Sequence, residues 1–364
     1  MTRARAAVAR EFAVPLTVED IELRTAGPDE VLVRIDAAAV CITDVLAIGG
    51  LTFAKPPFVT GHAAAGVVEY AGERVTGLVP GTRVVVAGSA ECGSCEACVA
   101  GSPSACAELM AGMVPPRYVA QDARGAEVTA DGGVGAFAER MVYRPANLVP
   151  VASTLPADRL CLLGCGVTSG LGAVLSVARV RPGTSVAIVG CGHLGQWMTQ
   201  AARLAGAGTI IAIDPLHARR EIASVHGATH LVDPADGDIV GQVKDLTAGR
   251  GVDYGFEAAG SATAMRDAFL MTRAGGTVVP TGMETPEAEV TLPALEFSIS
   301  ARRVLGSQTG GGHLKRDVPR FVDLLERGRV SAEHIAGATF RLNDINEALG
   351  AARDRTALTG VMVP

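Results

Sequence analysis

Residues 184–195 read Thr184-Ser185-Val186-Ala187-Ile188-Val189-Gly190-Cys191-Gly192-His193-Leu194-Gly195. A short apolar run closes on a glycine turn, and LGQWMTQAARLAG (194–206) continues from it with helical spacing. The same alternation repeats downstream. TIIAID (209–214), THLVDP (229–234), VDYGFEAAG (252–260) and GTVVPTG (276–282) read as buried strands, and ATAMRDAFLMTRA (262–274) as one of the helices between them. Strands alternating with helices at this spacing predict an α/β chain with a doubly wound parallel sheet. Upstream, VLVRIDAAAV (31–40), AAGVVEY (64–70) and TRVVVAG (82–88) are short Val-rich strands broken by Gly and Pro. Residues 89–134 show little periodicity and read as an ordered lobe of loops, and the tail after about 309 holds a helix over 316–328 followed by mixed short elements.

The spacing Gly190-x-Gly192-x-x-Gly195 at the strand–helix junction is a dinucleotide fingerprint. The first glycine permits the tight turn. The second lets backbone N–H groups approach a pyrophosphate, and the third lets helix and strand pack closely. The phosphates then sit on the helix N-terminus, at His193 and Leu194. Asp214 ends the next strand, 19 residues after Gly195. An acid there accepts hydrogen bonds from ribose hydroxyls and repels a 2′-phosphate, so NAD is expected rather than NADP. Arg219 and Arg220 lie near enough to blur that preference.

The whole chain of 364 residues is 48% hydrophobic and 19% charged, which excludes a disordered, collagenous or coiled-coil protein. Its net charge of −6 argues against a nucleic-acid or anionic-membrane surface. The N-terminal MTRARAAVAREFAVPL is interrupted by Arg10 and Glu11 and does not read as a secretory signal. The uncharged run 161–178 is long enough to suggest a span. It carries four glycines, two serines and a threonine, and reads as a buried loop and helix. A cytoplasmic location with reduced thiols is the expectation.

Four of the eight cysteines, Cys92, Cys95, Cys98 and Cys106, fall within fifteen residues. Four thiolates at this spacing can close a tetrahedron around Zn²⁺ as a structural site. Two disulfides or an iron–sulfur cluster are the alternatives. Cys41 in AVCITD, His62 in TGHAAAG and Cys165 in LLGCGVTSG are scattered, and each alone reads as an ordinary core residue.

Taken together, VCITD (40–44), GHAAAGVV (61–68), the cysteine lobe, GAFAE (135–139), GCGVTSGLG (164–172), GCGHLG (190–195), AIDP (212–215), GVDYGFEAAG (251–260) and INEAL (345–349) run in one order along nearly the whole chain. In these segments the sequence resembles the zinc-dependent alcohol dehydrogenases of the medium-chain dehydrogenase/reductase family. The resemblance implies a GroES-like β-barrel catalytic domain with a structural-zinc lobe (1–166 and 309–364) and a Rossmann NAD-binding domain (167–308). It implies two Zn²⁺ per chain: a catalytic ion on Cys41, His62 and Cys165, and a structural ion on Cys92, Cys95, Cys98 and Cys106. Thr43 would hydrogen-bond the substrate alcohol, and Asp44 would orient His62. Thr281 and Met283 would lie toward the nicotinamide end of the NAD site. The implied partners are a small alcohol or carbonyl substrate and a second copy of the chain in a homodimer, with an interface near 285–308. No nucleic acid and no membrane is expected.

The chain departs from the family pattern at several places. Ala63 follows the ligand His where Glu is usual, and Leu46 stands where many members end a proton relay with His. Ile42 and Thr359 stand where basic residues often contact the pyrophosphate; Arg353 and Arg355 are close by but shifted. Gly88, Asp131 and Gly132 fall at positions that usually carry bulky walls of the alcohol pocket, which implies a wide cleft for a bulky substrate. A biosynthetic reductase of an iminium or enal group is the alternative enzyme reading, and a non-catalytic zinc- or nucleotide-binding relative the alternative outside enzymes.

Overall fold

The computed structural model describes residues 2–112 and 114–364. The chain forms two compact units, Met1–Cys165 with His313–Pro364, and Gly166–Gly312. Gly166 and residues 309–312, which the sequence assigns to the flanking unit, belong to the middle one. The reason is local. A Cβ at Gly310 would stand 2.2 Å from the carbonyl oxygen of Thr168, and one at Gly172 would stand 2.4 Å from that of Gly310, so this loop is packed onto the helix Gly166–Gly172.

The middle unit is a six-stranded sheet in the order His230–Val232, Thr209–Ile213, Ser185–Val189, Val252–Glu257, Thr272–Pro280, Arg303–Val304, with every pairing parallel. In chain order this is 3-2-1-4-5-6. Its switch point lies beside Ser185–Val189, where ligands of open α/β sheets bind. The central strands are buried on both faces, which explains their unbroken runs of Val, Ile and Ala. The helix His193–Leu204 is buried along most of its length, including Trp197, Met198 and Ala201, and a Cβ at Gly170 would stand 2.5 Å from Trp197 Cβ, so one side of it packs on the helix Gly166–Gly172.

The flanking unit contains a closed barrel of Thr2–Ala9, Thr17–Leu23, Arg117–Asp122, Glu127–Ala130 and Phe58–Val59. Beside it runs a second sheet. Its order is Leu148–Pro150, Arg83–Ala87, Ala63–Ala71, Val31–Val40, Thr359–Val363, Ala336–Arg341, with Arg140–Tyr143 also paired to Val31–Val40. The reading of 89–134 as a lobe of loops is corrected here, because two barrel strands lie within it. Glu127–Ala130 is only four residues long and Arg117–Asp122 carries charge at both ends, so neither shows a clear period. Pairing with neighbours remote in sequence makes them strands.

The uncharged run 161–178 is divided among short helical turns, and most of its residues are buried. Among the described residues, no single helix is long and apolar enough to cross a membrane.

Candidate active site

Strand Val31–Val40 delivers Cys41 to the N-cap of the helix Ile42–Ile48. Asp44, on the first turn of that helix, is 1% exposed. Its Oδ2 accepts the Cys41 backbone N–H at 2.9 Å. Its Oδ1 accepts from the Thr60 hydroxyl at 3.3 Å, the Gly61 N–H at 3.2 Å and His62 Nδ1 at 2.9 Å. A carboxylate oxygen accepts, so His62 donates its Nδ1–H to Asp44 and leaves Nε2 as the ring atom available to the cluster. That Nε2 is buried and, among the described residues, has no hydrogen-bond partner.

The third member arrives from a distance. A Cβ at Gly164 would stand 2.3 Å from the Val86 carbonyl oxygen and 2.8 Å from Ala63 Cα, so only glycine lets this segment lie against the strand that follows His62. Cys165 is thereby set beside Cys41 and His62, and the three ligand atoms lie within 4.8 Å of one another. Two thiols and an orphaned imidazole nitrogen suit zinc, with a fourth position left for an exogenous oxygen. The Thr43 hydroxyl lies 3.6 Å from Cys41 Sγ. Ala63, in place of a larger residue, is fully buried, and its side chain would stand 2.9 Å from a Cβ at 164.

Cys92, Cys95, Cys98 and Cys106 also converge, with all four Sγ atoms within 4.8 Å. Cys92 Sγ and Cys98 Sγ are 4.0 Å apart. A tetrahedron with Zn–S bonds near 2.3 Å has edges of about 3.8 Å. None of the eight cysteines forms a disulfide, which removes that alternative. The N–H groups of Cys92 and Cys95 each point to a cluster sulfur at 3.3 Å, as donors to a thiolate would.

In the middle unit the three glycines do different work. Gly190 has φ +95°, and a Cβ there would strike the Ala259 nitrogen at 2.7 Å. At Gly195 a Cβ would lie 1.9 Å from the Gly190 carbonyl oxygen. Gly192 instead faces open space, with only the Arg219 Nη1 at 3.7 Å. It caps the twelve-residue helix whose N-terminus includes His193 and Leu194. The His193 ring lies where a Cβ at Gly166 would be, 2.2 Å from its Nε2, and the Leu194 carbonyl would meet a Cβ at Gly170 at 3.0 Å. This cradle suits the phosphates of a dinucleotide.

Asp214 is 4% exposed, and its oxygens accept the N–H groups of Cys191 and Leu216, both at 2.8 Å. It therefore locks the glycine loop to its own strand end while keeping lone pairs for further donors. Arg220 is committed elsewhere: it donates to the Asp214 carbonyl and pairs with Asp233 at 2.8 Å.

Two polar residues of this site escape sequence reasoning. Gln196, fully buried, donates to the carbonyls of Cys191 and Arg219, both at 2.9 Å, and its Oε1 lies 2.8 Å from His226 Nδ1. Glu257, fully buried at its strand end, accepts the N–H groups of Ala259 at 2.8 Å, Gly260 at 2.6 Å and Gly282 at 3.2 Å. Burial pushes its carboxyl up, against the pull of those N–H groups. Glu257 thus clips together the two loops that carry Gly260 and Thr281–Met283. The Thr281 hydroxyl is buried without a hydrogen-bond partner among the described residues, and Met283 is 52% exposed. A buried Gln in a helix pattern carries no local signal, but an acid closing an apolar strand (GFEAAG, 255–260) does.

Residues 27–153 match the alcohol dehydrogenase GroES-like domain, and residues 194–327 match the zinc-binding dehydrogenase domain. The chain is 35% identical over 373 aligned residues to a geraniol dehydrogenase of Castellaniella defragrans, covering 99% of this chain and 97% of the relative. It belongs to the zinc-dependent alcohol dehydrogenases of the medium-chain dehydrogenase/reductase family. The dehydrogenase is also 34% identical to an S-(hydroxymethyl)glutathione dehydrogenase of Synechocystis, covering 99% of both chains. The crystal structure of benzyl alcohol dehydrogenase from Acinetobacter calcoaceticus matches it with a TM-score of 0.93 and 27% identity, over 100% of this chain and 99% of that one. A zinc-binding dehydrogenase of Sinorhizobium meliloti, solved with NADP bound, matches at a TM-score of 0.82 and 26% identity over the full length of both. The dehydrogenase is a zinc-dependent oxidoreductase of alcohols and their carbonyl products, with a nucleotide cofactor.

Proposed function

We propose that the dehydrogenase transfers hydride between NAD and a large primary or secondary alcohol, with Cys41, His62 and Cys165 holding the catalytic zinc and the four-cysteine lobe holding a structural one. The observation that carries this reading is the buried, partnerless His62 Nε2 facing two thiols. When bound, the metal supplies a Lewis acid that acidifies the substrate hydroxyl, and the nicotinamide supplies the hydride acceptor. The chain's own residues orient and relay. Asp44 fixes the His62 tautomer. The Thr43 hydroxyl, beside Cys41, accepts a hydrogen bond from the substrate hydroxyl and relays that proton by giving up its own. Leu46 carries no titratable group, so the proton passes from Thr43 to solvent without an imidazole relay. Gly192, His193, Leu194 and Arg219 line the phosphate cradle, with Gly190 and Gly195 shaping its turn. Asp214 receives the ribose hydroxyls, and Thr281 and Met283 border the nicotinamide. With no arginine at 359 and Arg353 paired to Asp354 at 2.8 Å, the pyrophosphate is held mainly by backbone N–H groups. Arg353→Ala and Arg355→Ala are accordingly expected to change NAD affinity less than tenfold.

The open space before Gly132 supports a large substrate, whereas a Cβ at Gly88 would already press His62 Cβ at 3.0 Å. Steady-state rates over an alcohol panel test the reading: kcat/KM for benzyl alcohol with NAD should exceed that for ethanol at least tenfold. Equal or better turnover of ethanol would refute the wide cleft, and no NADH formation from any alcohol would refute the whole reading. NAD should be preferred over NADP about a hundredfold, and Asp214→Ala should cut that ratio at least tenfold, since a ribose acceptor and a repelling charge both vanish. An unchanged ratio would remove Asp214 from cofactor choice.

A homodimer is supported by one apolar edge. Leu295, Phe297, Ile299 and Val304 are 70%, 58%, 71% and 47% exposed beside Arg303–Val304, the outermost strand of the parallel sheet. Light scattering should return twice the 37.2 kDa chain mass, and a monomer would refute the pairing. Thiols free of disulfides suit the cytoplasm.

A further inference from the structure

We propose that Asp131 selects alcohols carrying a second hydrogen-bond donor, an ammonium or a hydroxyl group, in addition to the hydroxyl that reacts. The inference rests on Cys41, His62 and Cys165 being the centre that receives the reacting hydroxyl. Asp131 is held at the level of that centre by the backbone. The strand Glu127–Ala130 pairs with Phe58–Val59, Ala130 opposite Val59. The chain then turns through Asp131–Gly133 and comes back against the segment leading to His62. The Ala136 N–H donates to the Gly61 carbonyl at 2.8 Å, and the Phe137 N–H to the Thr60 carbonyl at 3.0 Å.

The Asp131 carboxyl therefore sits beside the buried Thr52 hydroxyl and within electrostatic reach of Asp44 and His62. Burial and the Asp44 charge push its carboxyl up, against the pull of the Thr52 hydroxyl, His62 and the Gly132 N–H, and no Lys or Arg is among these neighbours. Its neighbour Gly132 leaves open space where a side chain would stand. Largely buried, with the Thr52 hydroxyl and the Gly132 N–H as its donors, the carboxyl keeps lone pairs that a donor on the substrate would fill. In either protonation state the group still accepts a hydrogen bond. A wall of this kind does not suit a purely hydrocarbon alcohol. A site built to hydrogen-bond a substrate group discriminates strongly against the analogue that lacks it.

Three alcohols of equal chain length test the inference with the zinc- and NAD-loaded enzyme: 1-hexanol, 1,6-hexanediol and 6-amino-1-hexanol. The wild-type kcat/KM for the diol or the amino alcohol should exceed that for hexanol by about tenfold or more. Asp131→Leu should erase that advantage. Asp131→Asn should keep the diol's share and lose the extra attraction for the ammonium group. Zinc content and NADH affinity, measured on each variant, confirm that the site still stands, so the ratio between substrates rather than absolute rate is the readout. Equal kcat/KM for all three alcohols in the wild type, or unchanged ratios in a zinc-loaded Asp131→Leu, would overturn the role of Asp131 and leave the alcohol dehydrogenase reading intact. Failure of every alcohol to react would overturn both.

Discussion

Cys165→Ala is expected to lower alcohol oxidation at least a thousandfold and to reduce the zinc content from about two ions per chain to about one, leaving NADH binding nearly unchanged. The loss is large because the cluster is built for one purpose. Among the described residues His62 Nε2 has no hydrogen-bond partner, and it is shielded from solvent. Two donors, Cys41 and His62, would remain, and a two-ligand site does not retain zinc in the open tetrahedral arrangement that catalysis needs. The Asp44→Asn variant probes the same centre more gently. An amide can donate to Nδ1 through its NH₂ group, which favours the tautomer protonated on Nε2 and so removes the donor lone pair. It would also weaken the acceptance of N–H groups from Cys41 and Gly61. A ten- to hundredfold loss of metal affinity is expected. Elemental analysis beside kcat/KM checks both variants. Full activity in Cys165→Ala, or two zinc ions retained, would sink the assignment of that centre.

Loss of the second metal should be felt in stability rather than chemistry. In the lobe, Cys98 and Cys106 are 4% and 3% exposed, and their packing partners are chiefly Leu109, Val114, Cys92 and Cys95. So small an apolar cluster is a weak core for a lobe of this length, and metal binding by the four thiols contributes folding free energy to it. Cys98→Ser, or removal of the metal by a chelator, is expected to lower the melting temperature by several degrees and to open residues 92–114 to limited proteolysis. In Cys98→Ser the catalytic ion should remain. A protease-resistant lobe that holds no zinc would show that the thiol cluster is closed by its own packing.

Much of this was legible locally. The run from Thr184 to Gly195 encodes strand, turn and helix within twelve consecutive residues, and each glycine is required by a contact close in sequence or along the sheet edge. Cys92, Cys95, Cys98 and Cys106 are neighbours in the chain, so their convergence needs only one compact loop. Other parts were hidden for a physical reason. The strands Arg117–Asp122 and Glu127–Ala130 are short and carry charge, and long-range pairing rather than propensity makes them barrel strands. Gln196 is polar in a helix pattern, and its worth appears only when Cys191, Arg219 and His226 close around it. Asp214 reads as a free ribose acceptor, yet folding commits both its oxygens to the loop as well.

By itself, then, the sequence determined the parallel sheet, the dinucleotide turn and the four-thiol lobe, because hydrophobic period, glycine spacing and cysteine spacing act over a few residues. The gathering of Cys41, His62 and Cys165 was decided only by the tertiary structure. Each of those side chains is ordinary in its own segment. They become a site because the sheet brings the end of Val31–Val40 next to the start of Ala63–Ala71, and because Gly164 alone is small enough to let Cys165 close against that strand.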